Sequence, residues 1–151
     1  MCIRDRFTPL AKPLGTDIIQ FPTGPAVGRL QEGKPWPEGG LLFRGYRLAK
    51  DGTPTLLYRH GKTDITDTLS PKDDGLRRRM EFSAGEGKLW VRLALANEFF
   101  TSERGVWIGA NKLTLIAPTA RVRTINGKVE LIAPIDLKTN DNTVLEVQLS
   151  W

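Results

Sequence analysis

From Phe43 onward, apolar and polar residues alternate with a period of two in short runs broken by turn formers. That rhythm is the mark of half-buried β-strands, whose successive side chains face opposite ways. The pattern predicts strands at 43–49, 54–60, 63–69, 76–83, 89–95, 106–108, 112–117, 122–125, 128–137 and 143–151. Leu89, Val91, Leu93 and Leu95 share one face of their run, with Trp90 and Arg92 on the other. Val129, Leu131, Ala133, Ile135 and Leu137 alternate inward, as do Leu145, Val147, Leu149 and Trp151. Asp51-Gly52 and Asn126-Gly127 each sit between two such runs, and Asn-Gly favours a two-residue hairpin turn. Residues 93–100 are the one place where a helical turn competes. About nine or ten strands at this short, even spacing predict an all-β chain, an antiparallel β-sandwich.

Residues 7–42 read differently. Proline and glycine recur there too densely for a packed helix, and short extended pieces fit only at 17–21 and 26–30. The expected organisation is a single domain with residues 43–151 as the sandwich core and 7–42 as an extended wrapping segment. The opening Met1-Cys2-Ile3-Arg4-Asp5-Arg6 resembles a translated sequencing-adapter remnant of metagenomic reading frames. Residues 1–6 are therefore set aside, and Cys2 with them as a nucleophile.

The chain has 151 residues, within the usual range for one domain. Its formal charge of +5 is modest. Nucleic-acid binding would call for a clustered basic stripe. The one cluster, Arg77-Arg78-Arg79, is divided between two faces by strand alternation, so nucleic acid is not an expected partner. No apolar run approaches the about 20 residues of a membrane-spanning helix.

Candidate chemistry is sparse. His60 is the only histidine, and beside Gly61 at a strand end it reads as a turn residue. Asp64 and Asp67 fall on opposite faces, so they do not pair as catalytic carboxylates. Asp67 shares the Ile65 face, and an inward Arg78 is its expected partner. Glu98 and Glu103 are the other carboxylates whose separation the sequence leaves open. Asp73-Asp74 and Asn140-Asp141-Asn142 are oxygen-rich, but turn chemistry explains them without calcium. No metal, cofactor or catalytic residue is assigned, and no phosphate-loop, dinucleotide, nucleophile-elbow or haem-attachment motif occurs.

Four tryptophans remain. Aromatic faces stack on sugar C–H faces, so Trp36, Trp90 and Trp107, with Arg92 and Arg44, are the candidate ligand contacts. Core or rim packing is the competing role for the same rings.

Pro13-Leu14-Gly15, Phe21-Pro22-x-Gly24-Pro25, Trp36-Pro37, Phe43-Arg44-Gly45-Tyr46-Arg47-Leu48 and Gly52-x-Pro54-Thr55-x-x-Tyr58 occur in this order. Together they resemble an uncharacterised β-rich segment of large exported proteins of planctomycete and verrucomicrobial bacteria. Many of those proteins carry a c-type cytochrome domain elsewhere. The resemblance spans about residues 8–95. It implies a periplasmic or extracellular setting, with other domains of a parent protein as partners. The expected function is a non-catalytic accessory domain, structural or carbohydrate-binding. The rivals are a carbohydrate-active enzyme using carboxylates and a purely structural spacer or docking domain.

Overall fold

Asn126 (φ 51°) and Gly127 (φ 73°) both take the left-handed conformation that closes a tight hairpin. The turn joins β10 (Arg121–Ile125) to β11 (Lys128–Asp136). The computed structural model describes residues 25–101, 105–109 and 114–150. The expected piece at 17–21, the carboxylate Glu103, and Trp151 lie outside these residues.

Around that hairpin stand β1 (Val27–Gly28), β2 (Leu41–Leu48), β3 (Pro54–His60), β4 (Thr63–Lys72), β5 (Gly75–Phe82) and β6 (Lys88–Ala96). They are followed by β7 (Phe99–Thr101), β8 (Val106–Gly109), β9 (Thr114–Ile116) and β12 (Thr143–Ser150). The chain is all-β and antiparallel, in two sheets. A four-stranded sheet runs β1-β6-β11-β10, and an eight-stranded sheet runs β2-β3-β4-β5-β12-β9-β8-β7. The twelve strands among the described residues exceed the nine or ten expected because β7 is too short for a periodic signal and because β1 comes from the extended piece expected at 26–30. Where a helical turn competed, β6 continues to Ala96 and β7 begins at Phe99.

The core lies between the sheets. Leu89, Val91, Leu131, Ala133 and Ile135 of the small sheet meet Ile65, Met80, Phe82, Leu145 and Val147 of the large one. The alternation expected of β11 holds from Leu131 to Leu137, and that of β12 from Leu145 to Leu149. Leu95 departs from it: the β6–β11 register skips at Leu93, so Leu95 falls opposite Glu130 rather than inward. A one-residue bulge shifts every later side chain to the other face.

The large sheet's outer face is wet. It carries ion pairs of Arg59 with Asp64 (2.6 Å), Arg77 with Glu146 (2.6 Å) and Arg79 with Glu81 (2.7 Å). Its inner face holds Asp67 and Arg78, as alternation required. Asp67 is 2% exposed, and Arg78 grips it with Nε at 3.0 and 3.2 Å and Nη2 at 2.6 Å. The three consecutive arginines thus divide between the two faces.

His60 ends β3 and packs on the backbone of Gly40, where an added Cβ would lie 3.0 Å from its Nε2. Burial, and then the Arg29 guanidinium, hold the imidazole below its ordinary pKa. The fold therefore favours neutral His60. Its contribution to stability is complete above the unfolded value of about 6.5. It is lost as pH falls from there through the lower folded value. Urea unfolding at stepped pH should show this acid-side slope, and His60→Gln should flatten it. An unchanged slope in that variant would contradict the assignment.

Candidate functional site

The large sheet has twice as many strands as the small one, and its β2–β3 end runs past the shared core. Among the described residues of that end, only Leu41 and Tyr58 pack against the core cluster. No described strand lies above the remaining inward-facing side chains of β2.

These side chains form a strip because of a bulge. Phe43 lies opposite Tyr58, and Tyr46 lies opposite Leu56, with a register shift at Arg44 and Gly45 between them. Positions three apart in a regular strand face opposite ways. The extra residue restores Tyr46 to the face of Phe43. Gly45 has a φ of 126°, which L side chains rarely adopt. Leu41, Phe43, Tyr46 and Leu48 are thereby aligned on one face beside Leu56 and Tyr58 of β3. Phe43, Tyr46 and Leu48 are 60%, 65% and 63% exposed. The Phe43 and Tyr58 rings stand 5.6 Å apart, tilted by 58°. A cleft of about 280 Å³ opens here between Pro25, Glu38, Leu41, Phe43 and Tyr58.

Beside the strip, on the same face, lies the Asp67–Arg78 pair, with Asp67 directly opposite Leu56. It puts a charge-neutral polar unit next to the apolar surface. Tyr58 senses it: burial first, and then the Asp67 carboxylate, raise the phenol above its ordinary pKa.

Three of the five residues singled out from sequence converge and two do not. Trp36, Trp90 and Arg92 meet on the outer face of the small sheet, and Trp107 and Arg44 lie elsewhere. The loop after β1 crosses that outer face. Its Trp36 packs on Trp90, Ile132 and Leu30 and donates from Nε1 to the Pro25 carbonyl at 2.7 Å. The Arg92 and Arg123 guanidinium carbons lie 5.0 and 5.7 Å from the Trp36 ring centre. Arg121 lies 4.3 Å from that of Trp90. Glu130 ties the layer together, with Arg92 Nη1 at 3.3 Å and Arg123 Nη2 at 2.6 Å. Trp36 and Trp90 are 7% and 8% exposed, so little of either ring is open to a sugar. Beside this layer is a cleft of about 340 Å³ that includes Trp36, Glu38, Arg92 and Lys128.

Trp107 sits in β8 of the large sheet, packs on the main core and donates to the Ala117 carbonyl at 3.4 Å. Arg44 is exposed at the β2 bulge. Among the carboxylates, Asp64 is on the wet face beneath Arg59, Asp67 is buried opposite, and Glu98 is exposed between β6 and β7. Among the described residues no group of histidine, cysteine, aspartate or glutamate could hold a metal ion. None of their helices is long and apolar enough to cross a membrane.

Phe43, Tyr46 and Tyr58 are aromatic side chains of this face that the tryptophan pattern in the sequence does not point to. The available signal was Gly45 inside an otherwise periodic strand, with aromatics spaced three apart across it. No family model, curated protein or solved structure matches the chain.

Proposed function

We propose that this chain is a non-catalytic accessory β-sandwich domain that docks another polypeptide on the bare strip of β2 and β3. The carrying observation is the bulge at Arg44 and Gly45, which lines up Phe43, Tyr46 and Leu48 on one uncovered face. Contiguous exposed apolar patches mark interaction sites on soluble domains. Aliphatic Leu41, Leu48 and Leu56 alternate with the aromatics, a composition suited to protein contact rather than to sugar hydroxyls. The proposed setting, a larger exported protein, rests on the resemblance of residues 8–95.

Carbohydrate is the second reading, favoured by the Phe43–Tyr58 ring pair beside Glu38 in one cleft. Two measurements separate the readings. Anilinonaphthalene sulfonate fluorescence should rise with the wild-type chain and fall in Phe43→Thr/Tyr46→Thr. A panel of oligosaccharides should leave the melting temperature in place. A sugar at about 100 times its dissociation constant would add roughly 2.7 kcal/mol. A sugar-specific shift lost in Tyr46→Thr would overturn docking in favour of a carbohydrate platform.

A further inference from the structure

We infer that the strip pairs with a second copy of itself, face to face, about a two-fold axis. This rests on the docking reading above and names the partner. The first argument is charge. The strip's own side chains are uncharged, and the ionic groups beside it on the same face, Asp67 and Arg78, neutralise each other at 2.6 Å. Apart from Glu38 at the rim of the cleft, two copies can face each other there with no like-charge penalty, as an isologous interface requires.

The second argument is the state of the neighbouring edge. β2 is the outermost strand of the large sheet, and edge-to-edge pairing would be the usual route to a dimer. That route is blocked. The bulge interrupts the ladder, and Arg44 and Arg47 are exposed on β2, which carries no carboxylate. Antiparallel pairing of two identical β2 strands would bring these arginines together across the seam. The face stays open while the edge is defended.

The third argument is area. Phe43, Tyr46 and Leu48 each leave roughly 100–150 Å² uncovered, and Leu41, Leu56 and Tyr58 add partial contributions. The sum, roughly 500–700 Å² per copy, falls just below the about 800 Å² per partner of a standard interface. The expected product is a weak, reversible dimer that forms by sheet-on-sheet packing.

Sedimentation equilibrium on the full chain tests this. From about 1 to about 500 µM the mean mass should climb from monomer toward dimer. Raising salt to about 1 M should not dissolve the dimer, because burial of apolar surface is not screened. Phe43→Thr/Tyr46→Thr should weaken association at least about tenfold, and Arg47→Glu should leave it unchanged. A monomer at every concentration overturns the inference. So does a dimer indifferent to the strip substitutions, or one strengthened by Arg47→Glu, which would be pairing at the edge. The melting temperature of the strip variant separates the two levels of failure. If that variant stays folded while the wild type is monomeric, only self-pairing fails. If it melts early, the strip belongs to the fold and the docking reading fails with it.

Discussion

Asp67→Ala destabilises the domain by about 3–5 kcal/mol, because it strips the counter-charge from a guanidinium that the fold has already dehydrated. The Asp67 side chain is 3% exposed and that of Arg78 is 15%. Three contacts between 2.6 and 3.2 Å hold the pair in a two-pronged geometry. Breaking such a pair costs far more than replacing it. Asp67→Leu combined with Arg78→Met should therefore recover most of the loss, and a double-mutant cycle by urea unfolding would measure the coupling. A second readout comes from Tyr58. The Asp67 carboxylate is one cause of its raised phenol pKa, so Asp67→Ala should lower the alkaline titration midpoint of that tyrosine. A cost below about 1 kcal/mol would mean that water reaches the pair, as it does in exposed salt bridges.

Trp36→Ala is the second large effect, about 3–5 kcal/mol by the usual cost of truncating a buried tryptophan. Trp36 has 7% of its surface exposed and roofs the outer face of the small sheet. Its loss uncovers Ile132 and Trp90 and removes the ring that lies over Arg92 and Arg123. The Nε1 bond to Pro25 also goes. Trp36→Phe keeps most of the apolar area and gives up that bond, for about 1 kcal/mol. Urea unfolding of both variants checks the pair of values. Near-equal, small losses would mean that the ring is a surface platform rather than a packed roof.

The sequence was most legible where period-two alternation ran unbroken. Alternation alone put Asp67 and Arg78 on one face and sent Arg77 and Arg79 to the other. It also placed Leu131, Ala133, Ile135, Leu145, Val147 and Leu149 in the core. Asn126-Gly127 declared its hairpin through local turn chemistry. Legibility failed at bulges, because one extra residue reverses the face of everything after it. Leu95 was misplaced for that reason, and Tyr46 gained its place beside Phe43 by the same device. Sheet membership was also out of reach. Nothing local says that β6 and β11 join β1 and β10, so that no described strand covers the β2–β3 end of the larger sheet. The tryptophans suggested binding by residue type, yet the burial of Trp36 and Trp90 depends on arginines and a glutamate from other strands.

The central claim is that the β2–β3 strip is a surface kept for a partner, not an unfinished part of the core. Urea unfolding of Phe43→Thr/Tyr46→Thr tests it most directly, with Phe82→Ala as the core reference. Threonine preserves strand propensity, so each strip substitution should cost no more than about 1 kcal/mol. Phe82→Ala should cost about 3–5 kcal/mol. A strip variant that loses as much as the core variant would contradict the claim and make Phe43 and Tyr46 structural.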